Sequence, residues 1–321
     1  MIRRVVAMLA AVAALVLLAV PAGAQYPTKP VRVVVQFPAG GAADTILRII
    51  AQPLAQALGQ PVVVENRPGA DGAIAAELVM KTPPDGYTLF MATTSALSAV
   101  PAMRKQPPYD PLTAFTPITK VGTFSFFLFT HPSVPATNVN ELIEYIRANP
   151  GKVNYASATT VGMMSAVQLA TVAKLDMVRV PYKGEGAATI DLMSGLVHLM
   201  FATPTNALGP AKEGRLRVLA TLLPQRSPAA PDAPTMAESG APNLSIVPWA
   251  GFFGPAKLPP DIVARLNREL TAILKRPGVR EQIARQAFDV QVSTPEELAA
   301  YTKEQAQVWK AAVRDSGIPL E

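Results

Sequence analysis

Three short stretches of the chain place small hydroxyl residues and glycines where an apolar run gives way to a helical pattern. The first is Phe37-Pro38-Ala39-Gly40-Gly41-Ala42-Ala43-Asp44. Two glycines let a backbone turn tightly and approach a guest with no Cβ in the way. The free N–H groups of the helix that follows point at the same space, backed by the positive end of its dipole. Such a junction can hold a carboxylate with no lysine or arginine. It can equally be an ordinary βα turn with Asp44 as a helix cap. The second stretch is Thr93-Thr94-Ser95 and the third is Ser157-Ala158-Thr159-Thr160. Their hydroxyls can donate to a carboxylate or cap the next helix. Each stretch follows an expected strand, and ligands of open α/β sheets bind at the carboxyl ends of strands. The candidate ligand-binding set is therefore Phe37, Pro38, Ala39, Gly40, Gly41, Asp44, Thr93, Thr94, Ser95, Ser157, Thr159 and Thr160. Tyr182, in Tyr182-Lys183-Gly184, and Thr203, in Thr203-Pro204-Thr205, complete it.

Catalytic patterns find little support. The only histidines are His131 and His198, far apart and in no metal-binding spacing, and there is no cysteine. Neither a G-x-S-x-G elbow nor a phosphate-binding G-x-x-x-x-G-K-[ST] loop occurs. Gly184-x-Gly186 lacks the third glycine of a dinucleotide loop and reads as a plain turn. No catalytic residue, metal or cofactor is expected. Tyr182-Lys183-Gly184 could present a phenol or a cation to the cleft, although Lys183 reads first as a solvated lysine; Asp191 reads as a surface or capping carboxylate and Trp249 as core.

The elements that must position these stretches alternate. Val31–Gln36, Val62–Glu65, Tyr87–Ala92, Val153–Ala156, Met177–Tyr182, Leu196–Phe201 and Leu216–Thr221 read as strands. Asp44–Leu58, Ala73–Lys81, Asn140–Ala148, Gly162–Lys174, Ala187–Ser194 and Thr205–Glu213 read as helices. This pattern predicts βαβ units and largely parallel sheets, with strands apolar throughout because both faces are covered. The organisation changes at Phe124–Thr130, a long strand-like run, and again at Leu244–Gly254 after a Pro-rich loop. Beyond it lie three helical patterns, Pro260–Lys275, Val279–Gln286 and Pro295–Ser316, and one strand, Val290–Val292. Such a strand-poor terminal segment should pack back on the first lobe.

The chain begins with Arg3 and Arg4, an apolar run Val5–Val20 and the small-x-small triplet Ala22-Gly23-Ala24. Together these predict a secretory signal peptide, residues 1–24, cleaved after Ala24. The alternative is a membrane anchor, against which Pro21 and the cleavage-type triplet speak. What remains is too long for one comfortable core and suits two lobes, 25–123 plus 247–321 and 124–246. The chain would cross between them twice, and paired crossings make a hinge. The net charge is +6 at full length; without Arg3 and Arg4 it is +4. That is no nucleic-acid footprint. Without cysteine the protein has neither disulfides nor a lipid-attachment point, which fits a freely diffusing periplasmic monomer.

With these loops identified, the chain resembles the substrate-binding receptors of tripartite tricarboxylate transporters, the Bug receptors, over its whole mature length. The shared stretches are Phe37-Pro38-Ala39-Gly40-Gly41-x-x-Asp44, Asn66-Arg67-Pro68-Gly69-Ala70-x-Gly72 and Pro84-Asp85-Gly86-Tyr87-Thr88-Leu89. They continue with Tyr109-Asp110-Pro111, Val180-Pro181-Tyr182-Lys183-Gly184, Pro234-Thr235-x-x-Glu238-x-Gly240 and Trp249-x-Gly251. The resemblance implies a type II periplasmic binding fold, with two α/β lobes, a two-strand hinge and a cleft that closes on a carboxylic acid. It further implies grip by Phe37–Asp44, Thr93–Ser95 and Ser157–Thr160, partly through water. The ligand would be a mono-, di- or tricarboxylate or an aromatic acid, delivered to membrane permease subunits energised by an ion gradient. In the second lobe the sequence departs from the family. The frequent Gly-x-Gly-[Ser/Thr]-x-x-His run is replaced by Thr159-Thr160-Val161-Gly162-Met163-Met164-Ser165, where side chains at Thr159 and Val161 should narrow backbone access. Ala202 stands where an acidic residue is frequent, which argues against an amino-acid ligand. Two other readings share these features: a receptor reporting to a membrane sensor, and a periplasmic hydrolase or isomerase of small acids.

Overall fold

The computed structural model of the protein describes residues 26–240 and 246–320. The expected signal segment and part of the Leu244–Gly254 stretch lie outside the described residues. Two sheets organise the rest, one per lobe.

The first sheet has the order β11-β4-β10-β3-β1-β2. Its strands are β1 (Val31–Val35), β2 (Val62–Asn66), β3 (Thr88–Thr93), β4 (Phe115–Phe124), β10 (Trp249–Pro255) and β11 (Phe288–Val290). β1 lies parallel to both β2 and β3, whereas β10 runs antiparallel to β3 and to β4. The second sheet has the order β7-β6-β8-β5-β9, from β5 (Phe127–Thr130), β6 (Val153–Ser157), β7 (Met177–Pro181), β8 (Leu199–Ala202) and β9 (Arg217–Thr221). There β6 is parallel to β7 and β8, and β5 is antiparallel to β8 and β9. The sheets are thus mixed rather than largely parallel. The strands joined by βα crossovers pair in parallel, and those that carry the chain between lobes enter from the opposite direction.

The helices are α1 (Ala42–Leu58), α2 (Ala73–Met80), α3 (Val100–Met103), α4 (Pro111–Ala114), α5 (Val139–Ala148) and α6 (Thr160–Ala173). After them come α7 (Glu185–Ser194), α8 (Pro204–Lys212), α9 (Pro260–Leu274), α10 (Pro277–Ala284) and α11 (Pro295–Ser316). Amphipathic α1 buries Ile46, Leu47, Ile50 and Leu54 against β1 and β3, joined by Leu266, Leu270 and Ile273 from α9. Burying each such side chain is worth about 1.5–3 kcal/mol, which more than offsets Pro53 inside α1.

Several expected elements are corrected. The run Phe124–Thr130 is not one strand: Phe124 ends β4 and β5 starts at Phe127. β4 itself was not foreseen because Thr116, Pro117, Thr119 and Lys120 dilute its apolar character. Pro117 is tolerated beside a register shift in the β4–β10 pairing. Gly122, at φ +149°, leaves room for Asp289 O of β11, which a Cβ there would strike at 1.9 Å. The strand expected to begin at Leu196 begins at Leu199, with Leu196 exposed. The edge strands β2 and β7 are partly exposed, so two-sided burial holds only for the central ones. Finally, the terminal segment does not pack on the first lobe alone. Leu298 of α11 joins the first-lobe core with Trp249 and Phe253, while Trp309, Ala312 and Val313 join the second-lobe core with Met164 and Leu169 of α6.

Candidate functional site between the lobes

A cavity of about 450 Å³ opens where the lobes meet. The first lobe contributes Phe37–Ala43 from the β1–α1 turn and Thr93, Thr94 and Ser95 from the end of β3. The second lobe contributes Thr159 and Val161 at the start of α6, Lys183–Ala187 at the start of α7, and Thr203 and Asn206 at the start of α8. The chain crossings supply Phe124, Phe126 and Pro248, with the Phe124 N–H donating to Pro248 O at 2.8 Å. The N-termini of α1, α6, α7 and α8 therefore converge on one space. Each has first-turn N–H groups with no helical acceptor and a positive dipole end. Phenylalanine and proline walls keep the surroundings apolar, so those dipoles act in a low dielectric.

The β1–α1 turn is held from behind. Gly40 sits at φ +82°, a conformation glycine adopts freely, and its N–H donates to Asp44 Oδ2 at 2.9 Å. Asp44 also accepts from Arg48 Nε at 3.0 Å and from Asn66 Nδ2 at 2.9 Å, and the same Asn66 amide donates to Phe37 O. Burial would raise the Asp44 pKa, but the Arg48, Gly40 and Asn66 bonds outweigh it and lower it. A second brace is Gln36, whose Oε1 accepts from Thr93 N at 3.2 Å and so locks the two first-lobe turns together. Thr94 is similarly fixed, its Oγ1 accepting from Trp249 N at 2.7 Å.

Of the residues singled out from sequence, Phe37, Pro38, Ala39, Gly40, Gly41, Thr93, Thr94, Ser95, Thr159 and Thr203 line this cavity. Four do not. Asp44 is 2 % exposed and faces the turn it braces. Ser157, Thr160 and Tyr182 line a separate hollow of about 70 Å³ with Asp71 and Arg179. There Ser157 Oγ accepts from Arg179 Nε at 3.1 Å, and the Tyr182 hydroxyl is turned away to Asp191 Oδ2 at 2.7 Å. Of the β6–α6 turn only Thr159 reaches the larger cavity, and it lines the smaller hollow as well.

Thr159 caps α6, its Oγ1 accepting from Gly162 N at 3.0 Å. Gly162 packs against β8, where a Cβ would lie 2.5 Å from Phe201 O. Thr159 and Val161 both line the cavity.

Lys183, for which a place on the cleft was the weaker alternative to a solvated lysine, does line the cavity, whereas sequence reasoning passed over Glu185, the middle residue of Gly184-x-Gly186. These are the two ionisable side chains at the cavity among the described residues. Glu185 keeps partial exposure and lines the cavity. Its Oε1 accepts from Thr203 N at 3.1 Å, and its Oε2 shares a hydrogen bond with Thr203 Oγ1. Burial pushes its pKa up to about 7 against the opposing Thr203 bonds. No helix among the described residues is long and apolar enough to cross a membrane.

Two α/β lobes joined by a double chain crossing, with an interlobe cavity ringed by helix N-termini, define a periplasmic-type solute-binding protein. Sequence comparison narrows this further. The profile of the tripartite tricarboxylate transporter family receptors matches residues 46–318, and the chain belongs to that family. Protein BugT of Bordetella pertussis is 35% identical over 306 residues, covering 92% of each chain. Rpa4515 of R. palustris, solved with adipate, is 30% identical, with a TM-score of 0.87, and the match covers 92% of this chain and 99% of that one. MatC of Rhodopseudomonas palustris, solved with bound malate, is 31% identical, with a TM-score of 0.84 over 90% of this chain and all of the other.

Proposed function

We propose that the protein is a periplasmic receptor that captures a small carboxylic acid in the interlobe cavity and delivers it to the membrane subunits of a tripartite transporter. The observation that carries this reading is the convergence of helix N-termini from both lobes on one apolar-walled cavity of about 450 Å³. Charge-assisted hydrogen bonds to a carboxylate are worth roughly 1.5–3 kcal/mol each. Three or four, offset by ordering and closure, give micromolar affinity, on the order of −8 kcal/mol. The solved relatives carrying adipate and malate support an organic acid as the guest. Capture needs no catalysis: the ligand favours the closed form and shifts the hinge equilibrium. In this reading residues 1–24 are a cleaved export signal. The lobes comprise 25–123 plus 247–321 and 124–246, and the mature protein works as a freely diffusing monomer without cofactor or metal.

The test is native mass spectrometry of freshly purified protein, followed by a thermal-shift panel of mono-, di- and tricarboxylates and aromatic acids. A retained acid or a clear stabilisation by one of them is expected. Silence across the panel at every pH would remove the reading.

A further inference from the structure

The cavity that suits an anion already contains a carboxyl group. Glu185 lines it from the first turn of α7, and both of its oxygens bond to Thr203 at the start of α8. Most groups that could neutralise it are engaged or distant, the exception being Lys183, two residues away on the same cavity. Of the elements packed on α7, β8 carries no ionisable residue, β6 carries only Tyr155, whose phenol burial keeps neutral, and α8 only Lys212 at its far end. On α7 itself Asp191 is held by Tyr182, and Arg179 of β7 is held by Ser157. Across the cleft the Phe37–Ala43 turn has no ionisable side chain, and Asp44 behind it is paired with Arg48. Lys183 is exposed and makes no ion pair among the described residues.

Two carboxylates in one desolvated site cannot both remain charged cheaply, so one of them takes a proton. We propose, on the reading of the cavity as an acid-binding site, that Glu185 takes up that proton, so that the receptor captures one carboxylate and one H⁺ together. The Thr203 hydroxyl links the two events. When Glu185 is ionised, its Oε2 draws the Thr203 O–H toward itself, and lone pairs face the cavity. When Glu185 is protonated, its O–H donates to Thr203 Oγ1, and the Thr203 hydroxyl is free to donate to the guest. The proton comes from solvent, and no other bond is made or broken. Glu185 therefore sets specificity against anions at alkaline pH, where its own charge competes with theirs.

The experiment uses adipate and malate as probes on the mature protein and on Glu185→Gln. Glutamine reproduces the protonated acid, donating Nε2–H to Thr203 Oγ1 and accepting Thr203 N–H, so folding is preserved. Affinity of the native protein should fall about tenfold between pH 6 and pH 8, while that of Glu185→Gln stays flat. Titration calorimetry in phosphate and Tris buffers near pH 8 should register uptake of about one proton per acid in the native protein and none in the variant. A flat native profile, or a slope kept by Glu185→Gln, overturns the proposal while leaving acid binding intact. Failure of either protein to bind any acid of the wider panel between pH 6 and pH 8 would instead remove the acid-binding reading, and this inference with it.

Discussion

At the scale of single residues, ionisation and backbone conformation decide what the cavity can hold. Glu185 has a folded pKa near 7 against an ordinary 4.5, so the folded state holds its proton more firmly than the unfolded chain. The stability this confers is fully present below about pH 4.5 and is lost as pH rises through about 7. Glu185→Gln should remove that loss, stabilising the ligand-free protein by on the order of 2 kcal/mol at pH 8 and hardly at all at pH 4, as read by urea unfolding. Gly40 poses a different constraint. A Cβ there would meet nothing within 4 Å, so space is not the issue, but its φ of +82° is one a β-branched residue resists. Gly40→Val should therefore leave the protein folded, with a cost of about 1–3 kcal/mol confined to the turn, and weaken acid binding at least tenfold. Unchanged affinity by calorimetry would count against the β1–α1 turn as a ligand contact. Sequence legibility follows the same division. The glycine–hydroxyl turns were readable because their residue types are local signals of turn chemistry. For Asp44 the sequence left ligand contact and a role in its own turn both open, because partners such as Asn66 come from distant strands. Glu185 was overlooked because nothing in its neighbours along the chain announces that β8 and α8 enclose it.

At the scale of elements, helix placement sets which amides face the cavity. α6 is seated on β8 through Gly162, whose absent side chain permits an approach to Phe201 O that a Cβ would reduce to 2.5 Å. Backbone cannot yield as a flexible side-chain tip can. Gly162→Ala should push α6 outward, costing about 1–3 kcal/mol by overpacking and displacing Thr159 from the cavity wall. A lowered melting temperature together with weakened acid binding checks this; lowered stability with intact binding would mean that the α6 N-terminus contributes nothing to the grip. The βα units themselves were legible, since apolar runs and amphipathic runs differ in period. The antiparallel members were not. β4 mixes Thr, Pro and Lys with its apolar residues because its neighbours β10 and β11 supply the missing order. Strand direction is a property of pairing, and a single sequence carries no record of its partners.

At the scale of the whole molecule, the cavity draws its walls from both lobes, and two of the contacts between them bear on how they move. α11 runs along both, with Leu298 in the first-lobe core and Trp309 in the second, so a rigid helix limits the directions in which the hinge can move. On the far side of the cleft, Gly184 of the second lobe meets Pro38 of the first: a Cβ on Gly184 would lie 3.7 Å from Pro38 Cγ. Gly184 has φ 173°, which is extended backbone open to any residue, so a larger side chain can be introduced there without local strain. That makes Gly184 a place to test closure apart from folding. An aromatic ring there would be set against Pro38 and should hold the two turns apart, exposing the helix N-termini to water, where their attraction for an anion is screened. Gly184→Phe should keep the native melting temperature within a few degrees and raise the dissociation constant for an acid at least tenfold. Its radius of gyration by small-angle X-ray scattering should not contract when acid is added, whereas that of the unsubstituted protein should. If the substituted protein bound acid with undiminished affinity, capture would not depend on the meeting of the two lobes at this edge. The ligand would then be held by one lobe alone, and the converging helix ends of the other would have no part in it.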